Sequence, residues 1–374
     1  MKIGLVCPYN MFQFAGGVQE IVLQLQKHLE LKGHSVKIIT PRPRAHFDKA
    51  PKNMILIGRS AKMNTPFSTM VDFGFEADGD EIADILERES FDIIHYHEPW
   101  VPLLSKQILT RSNAINVATF HATPPETVVS KSLLSAVTPY TKSVLAYLHA
   151  YTAVSDSAAE YVKSLTKEPI NIVPNGIDID YFMYPDKKHA NKIKTILYLG
   201  RLEKRKGVRY LIDAYSRLRE THDDVKLVIA GSGVKRKSLE RYCDLYEIPD
   251  VSFIGFVEER DKVKLMAEAD LYCSPAPFGE SFGIVLLEAM AVGTPAVAGN
   301  NPGYASVMTG LGRISLVTPK VTEDFSQRLE LMLYNEDVRK IWRDWAKDHL
   351  NQFSFTKVTD AYEEVYMQAL KVYA

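Results

Sequence analysis

Residues 195–208 read TILYLGRLEKRKGV. Thr195 to Leu199 is a short apolar run suited to a buried strand, and Gly200 interrupts it. Arg201, Lys204, Arg205 and Lys206 then gather around Glu203, and Gly207 leads into a helix from Val208. A strand that passes through a tight turn into a helix is half of a βαβ unit, the building block of a parallel sheet covered by helices. In open sheets of this kind ligands bind beyond the carboxyl ends of the strands, which is where Arg201 and Lys206 stand. A diphosphate gains negative charge as its bond to a transferred group breaks, so fixed cations there favour the transition state over the ground state. A solvated basic loop has the same composition, and Lys204 and Arg205 fit that plainer description.

The same alternation of short apolar runs and amphipathic stretches extends in both directions. Upstream, strands are expected at Ile3 to Cys7, Val36 to Thr40, Ile55 to Ile57, Asp92 to His95, Val117 to Phe120 and Thr152 to Val154. Around and after the opening stretch they are expected at Thr195 to Leu199, Lys226 to Ala230, Val251 to Ile254, Asp270 to Cys273, Pro295 to Ala298 and Ile314 to Val317. The pattern occurs twice, and 374 residues exceed what one hydrophobic core usually serves, so the class is α/β with two Rossmann-like domains. The turn-rich Ile172-Val173-Pro174-Asn175-Gly176-Ile177-Asp178 and the polar run 186–191 mark the crossing, with the boundary between 169 and 170. Beyond Phe353, Val358, Ala361, Tyr362, Val365, Tyr366 and Ala369 recur at helical spacing and give the last helix a face to bury.

Bulk properties narrow the function. A net charge of -1 argues against a nucleic-acid partner as the main business of the chain. Cys7, Cys243 and Cys273 lie in apolar segments without metal-ligand spacing, which suits buried thiols in a reducing compartment and predicts no metal site. The first residues, MKIGLVCPYN, enter a strand directly and lack the apolar stretch of a signal peptide, and no window approaches a membrane span. The expected location is cytoplasmic, or peripheral at the inner face of the plasma membrane.

Two further segments carry chemistry. Gly16 and Gly17 open a helix whose apolar face holds Val18, Ile21, Val22, Leu25 and Leu29, and a helix start with paired glycines admits a diphosphate to its N–H groups. Taken alone it reads more readily as an ordinary strand-to-helix turn, and it lacks the GxGxxG spacing of a dinucleotide site. In Gly279-Glu280-Ser281-Phe282-Gly283-Ile284-Val285-Leu286-Leu287-Glu288, an acidic loop runs into an apolar helix. Eight helical positions would separate the two carboxylates by roughly 12 Å. Glycosidase pairs stand about 5 to 9.5 Å apart, so a hydrolase is disfavoured. Glu280 suits a sugar hydroxyl, Glu288 a ribose, and the backbone of Phe282, Gly283 and Ile284 another anion contact. Asp178-Ile179-Asp180 offers a metal-binding pattern that Arg201 and Lys206 make unnecessary.

Taken together, Gly16-Gly17-Val18-Gln19, His121 after Ala118-Thr119-Phe120, Pro174-Asn175-Gly176-Ile177-Asp178, Gly200-Arg201 with Lys206-Gly207, and the Glu280 and Glu288 pair resemble the retaining GT-B glycosyltransferases of family 4 over nearly the whole chain. MKIGLVCPY, GGVQ, His97-Glu98-Pro99, ATFH and GESFGIVL are most similar to the branch that mannosylates phosphatidyl-myo-inositol from GDP-mannose. The resemblance implies two domains facing across a cleft that closes over the donor. It returns residues 354–374 to an acceptor-side domain of residues 1–169 and leaves 170–353 as the donor domain. It places Gly16, Arg201, Lys206 and Ile284 at the diphosphate, Glu280 at the transferred sugar, Glu288 at the ribose and His121 at the reacting centre. Arg201, Lys206 and Glu280 join His121 as catalytic candidates, Gly17 joins the donor contacts, and Tyr9 and Gln19 face the acceptor.

Guanine presents adjacent N1–H and N2–H donors that one carboxylate can accept, and Glu259, followed by Lys262, stands where this branch carries its acidic base contact. A carboxylate at a helix start is an equal reading of Glu259. The nucleotide-sugar is therefore expected to be GDP-mannose, with no cofactor required and magnesium dependence open. The acceptor is a lipid or polyol such as phosphatidyl-myo-inositol. Here the sequence departs from the branch, because Glu76, Asp78, Asp80, Glu81, Asp84, Glu87 and Glu89 fill the stretch where a basic lipid-binding helix is expected. Arg42, Arg44, Lys49, Lys52, Arg59 and Lys62, near Phe67, Met70, Phe73 and Phe75, offer another docking surface or an ordinary charged loop. A UDP-sugar transferase to another glycolipid or a soluble acceptor, a nucleotide-sugar epimerase and a non-catalytic nucleotide-sugar binding protein are the alternatives.

Overall fold

The computed structural model describes residues 1–12, 16–43, 51–64, 70–75, 77–101, 104–123, 128–183 and 192–373. The chain forms two compact units, one of Met1–Gly176 with Phe355–Ala374 and one of Ile177–Ser354.

The first unit holds strands β1 (Lys2–Val6), β2 (Ser35–Pro41), β3 (Met54–Ile57), β4 (Arg59–Asn64), β5 (Met70–Phe75), β6 (Ile93–His97), β7 (Ile115–Phe120), β8 (Ala150–Ala153) and β9 (Ile170–Ile172). Seven of them make one parallel sheet in the order β3-β2-β1-β6-β7-β8-β9. The strand order reverses between β1 and β6, so the turns after these two strands flank the switch point where such sheets bind ligands. Helices α1 (Gly17–Leu31), α2 (Gly79–Glu89), α3 (Leu104–Leu109), α4 (Val128–Leu145) and α5 (Asp156–Lys163) make the connections. Central strands covered on both faces need apolar residues throughout, and Ile3, Leu5, Ile38, Ile93 and Val117 are fully buried.

The second unit repeats the plan with β10 (Lys194–Leu199), β11 (Val225–Ala230), β12 (Val251–Gly255), β13 (Leu271–Ser274), β14 (Ala296–Gly299) and β15 (Leu316–Val317), ordered β12-β11-β10-β13-β14-β15 and all parallel. Its switch point lies between β10 and β13. Its helices are α6 (Ile179–Phe182), α7 (Val208–Arg219), α8 (Arg236–Leu245), α9 (Glu259–Glu268), α10 (Ile284–Ala291), α11 (Pro302–Val307), α12 (Thr322–Tyr334) and α13 (Glu336–Leu350). The last helix, α14 (Phe355–Tyr373), belongs to the first unit. Val358, Tyr362, Val365, Tyr366 and Ala369 join one apolar cluster with Ile3, Leu5, Leu25 and Leu29, and Lys32 pairs with Asp360 and Glu363 at its rim.

Several sequence expectations are corrected. The crossing lies at Gly176, not at 169, because Ile170–Ile172 pairs with β8 as the edge strand of the first sheet. Ile177 N–H then donates to the carbonyl of Phe353 at 2.8 Å, joining the two crossing segments inside the second unit. Gly310–Ser315 is a 3-10 turn, so Ile314 precedes the last strand instead of opening it. β4 and β5 form an antiparallel hairpin, where a loop or docking surface was expected, and Gly74 N–H donates to the carbonyl of Pro8. Arg44, Lys49, Phe67 and Glu76 of the acidic and basic stretches lie outside the described residues. The acidic stretch is not uniformly a solvated face. Asp78 caps α2, Glu81 pairs with Arg42, and Glu89 is buried against Lys37 and Lys2. Among the described residues no helix is long and apolar enough to cross a membrane.

Candidate active site

In the first unit the turn after β1 brings Tyr9 and Asn10 beside the start of α1. Gly16 is the residue before the helix, and its N–H donates to the Gln19 side-chain oxygen at 2.9 Å while Gln19 Nε2 donates to the Asn10 carbonyl at 3.0 Å. Gln19, expected to meet the acceptor, thus braces the turn. Gly16 spends its own N–H inside that brace, so this turn would meet an anion through the N–H groups of Gly17 and Val18, which an α-helix leaves without internal acceptors. Tyr9 is half-buried, and burial first, then the Glu98 carboxylate, raises its hydroxyl pKa well above the usual value.

Strand β6, at the switch point, and its neighbour β7 end in a layered set of histidines. His95 is tied at both ring nitrogens, to Tyr366 Oη at 2.7 Å and Thr119 Oγ1 at 2.6 Å. His97 Nδ1 lies 2.9 Å from His121 Nε2, and the two rings stack with centroids 5.1 Å apart. Burial depresses all three, His95 and His121 to about 3 and His97 well below its ordinary value, so all three rings are neutral at pH 7. Glu98 follows in a left-handed conformation at φ 55°. Its buried carboxylate accepts the backbone N–H groups of His121 and Ala122 and the indole N–H of Trp100. Burial raises the Glu98 carboxyl to about 7, against the pull of those donors.

In the second unit the basic turn after β10 is ordered by carboxylates. Arg201 pairs with Glu203 at 3.0 Å, Arg205 with Glu203 at 3.1 Å, and Arg205 and Lys206 both with Glu280 Oε1 at 2.8 Å. Arg205 also donates to the Gly279 carbonyl at 3.1 Å, which ties the two loops together. Arg205 is therefore not the solvated cation its composition suggests. Partial desolvation lowers the Arg201 pKa against the pull of Glu203, although the side chain stays 47% exposed.

The helix bearing Glu288 begins at Ile284, with Gly283 as its cap at φ 119°. Glu280 precedes the helix, so the separation argued from eight helical positions does not apply. The two carboxylates differ instead in their cations: Glu280 faces Arg205 and Lys206, and the buried Glu288 faces Lys262 at 2.8 Å. Lys262 also pairs with Glu259 at 2.6 Å and sits 5.4 Å over the Phe182 ring. Burial opposes its charge, but Glu288 and Glu259 outweigh that and raise its pKa. Phe282 is buried edge-on against Phe353, leaving only its backbone for a ligand. Asp178 caps α6 by accepting from Tyr181 N–H at 3.3 Å. Among the described residues no group of three or more His, Cys, Asp or Glu side chains is arranged to hold a metal ion.

Thus Arg201, Lys206 and Glu280 form one network, and Glu259, Lys262 and Glu288 a second, both beyond strand ends of the second sheet. His121, Tyr9, Gly16, Gly17 and Gln19 lie at strand ends of the first. Sequence reasoning missed His97, Glu98 and Arg205 as members of these sets. The available signal for the first two was the polar series His95, His97 and Glu98 following the apolar start Ile93-Ile94 of the strand.

Two Rossmann-like parallel-sheet domains in one chain, with cations and carboxylates beyond their strand ends, are the GT-B architecture. The sequence matches agree: residues 15–181 match Glycosyltransferase Family 4 and residues 183–349 match Glycosyl transferases group 1. The chain belongs to glycosyltransferase family 4. It is 31% identical over 373 residues to the phosphatidyl-myo-inositol mannosyltransferase of Mycobacterium leprae, covering 98% of this chain and 96% of that one. It is 34% identical over 316 residues to the enzyme of the same name from Mycobacterium tuberculosis, covering 82% and 80%. Among solved structures, sucrose-phosphate synthase from Thermosynechococcus elongatus superposes with a TM-score of 0.78 at 18% identity over 99% of both chains.

Proposed function

We propose that this glycosyltransferase moves mannose from GDP-mannose to the inositol ring of phosphatidyl-myo-inositol or a closely similar lipid, with retention at the anomeric carbon. The observation that carries the reading is the cluster of Arg201, Arg205 and Lys206 with Glu203 and Glu280 at the switch point of the second sheet. Three cations against two carboxylates leave net positive charge where a diphosphate would leave. Arg201 and Lys206 would hold that diphosphate with the N–H groups around Gly283 and Ile284, and Glu280 would accept from sugar hydroxyls. Glu288 would take the ribose. His121, neutral at pH 7, would offer a hydrogen bond to the sugar instead of a charge. Departure of the diphosphate and attack by the acceptor hydroxyl on the same face of the sugar would give retention. Residues 1–176 with 355–374 would serve the acceptor and 177–354 the donor, at the cytoplasmic face of a membrane.

The names of the relatives support mannose and the inositol lipid. One observation favours a second reading. Glu259 already pairs with Lys262, so a guanine must share or displace that contact, and a UDP-sugar would not need it. The test is transfer from GDP-mannose to phosphatidyl-myo-inositol in vesicles beside free inositol, read by product mass. Mannosylated lipid supports the reading, and product from free inositol alone rejects the lipid. Because side-chain cations would hold the diphosphate, turnover is expected to survive EDTA. Arg201→Ala and Glu280→Ala are each expected to lose most transfer while keeping the circular-dichroism spectrum, and near-normal turnover removes the residue from the site.

A further inference from the structure

His121 has a neighbour whose second nitrogen is unaccounted for. His97 is completely buried, its Nδ1 meets His121 Nε2 at 2.9 Å, and its Nε2 has no hydrogen-bond partner among the described residues. His95, whose ring lies tilted with its centroid 4.3 Å away, has both nitrogens engaged, so within this set the shortfall is peculiar to His97. Two neutral imidazoles joined through one hydrogen bond have two arrangements. Either His121 Nε2–H donates to a bare His97 Nδ1, which leaves a buried N–H at His97 Nε2, or His97 Nδ1–H donates to a bare His121 Nε2, which leaves only a lone pair there. Orphaned N–H donors are the rarer and costlier defect. The second arrangement is therefore favoured, and it puts the His121 proton on Nδ1. The surroundings agree: Asn175 favours the protonated form of the His121 ring, and its buried Oδ1 has no hydrogen-bond partner among the described residues, so an unused acceptor lies beside that ring.

We propose that His97 is a positioning residue that fixes His121 as the Nδ1–H tautomer, so that His121 presents a hydrogen-bond donor to an oxygen of the transferred sugar. The catalytic part of this inference rests on the function proposed above; the tautomer part does not. No proton is transferred. His97 supplies an oriented donor, and His121 Nδ1–H is left to donate to the incoming oxygen.

The test separates the two parts. Long-range 1H–15N correlation spectra of the unliganded protein labelled at histidine nitrogens report each ring's tautomer, with His121→Asn identifying the His121 signals. The expected result is His121 protonated at Nδ1. In His97→Leu the signals are expected to shift toward a tautomeric mixture, with kcat for donor turnover falling about tenfold and KM little changed. His97→Asn, whose amide nitrogen replaces Nδ1, is expected to restore both, and His97→Gln is not. If His121 is protonated at Nε2 in the native protein, or is unchanged in a folded His97→Leu protein, the tautomer assignment is wrong whatever the enzyme turns over. If the tautomer shifts as expected and kcat does not move, His97 does not position a catalytic group. His97→Asn supplies the folded comparison should His97→Leu fail to fold.

Discussion

Arg205 shows how little of a residue's role is written in its own neighbourhood. It stands between Lys204 and Lys206 in a basic turn, and composition gives no means of separating the solvated cation from the ion-paired one. What separates them is the return of Gly279 and Glu280, far along the chain, to within hydrogen-bond reach. A charged hydrogen bond contributes about 1.5–3 kcal/mol, so Arg205→Met is expected to lower kcat/KM for the donor by about 10- to 100-fold. Arg205→Lys, which keeps charge but not the fork that reaches Glu203 and Gly279 together, recovers only part of it. Unaltered donor kinetics in Arg205→Met return the residue to the solvent. His121, by contrast, was legible only through the family resemblance, because a lone histidine after a strand carries no signal of the buried rings beside it.

The elements that were easiest to read are the central strands. Ile3, Leu5, Leu197 and Leu227 belong to continuous apolar runs because helices cover both faces of each sheet. The short edge strand β9 and the β4–β5 hairpin escaped for the opposite reason: Ile172 is 42% exposed at a sheet edge, and strands 4 and 5 carry mixed polar sequence. The strand-to-helix turns set the site, and two depend on glycine. Gly207 lies at φ 71°, and a side-chain carbon there would come within 2.3 Å of the Pro275 carbonyl; at Gly283, φ 119°, it would come within 2.7 Å of the Tyr304 ring. Gly207→Ala is expected to cost about 1–3 kcal/mol in urea unfolding and to displace Lys206 from Glu280, raising KM for the donor. Wild-type stability and KM in that variant mean that the turn does not hold the site.

Across the whole molecule, the buried histidines tie stability to pH. His95 and His121 titrate near 3 in the fold against about 6.5 unfolded, so their contribution is fully present above 6.5 and is lost as pH falls toward 3, by up to about 1.4 kcal/mol per pH unit for each ring. His97 acts in the same direction. Glu98 opposes them: its carboxyl titrates near 7 against 4.5 unfolded, so its contribution is full below 4.5 and is lost as pH rises through about 7. Three rings outweigh one carboxyl, and Tm is expected to fall from pH 6.5 to 5, less steeply in His95→Gln. A Tm that rises over that interval contradicts burial of the rings in neutral form. At this scale the two-domain plan followed from chain length and the doubled strand pattern, whereas the crossing at Gly176 needed the pairing of β9. The donor assignment is central to the proposed function. Initial rates of nucleotide release from GDP-mannose, GDP-glucose, UDP-glucose and UDP-N-acetylglucosamine, each with phosphatidyl-myo-inositol vesicles, test it directly. The prediction is a kcat/KM for GDP-mannose at least tenfold above every other donor, whereas release from UDP-sugars alone contradicts it.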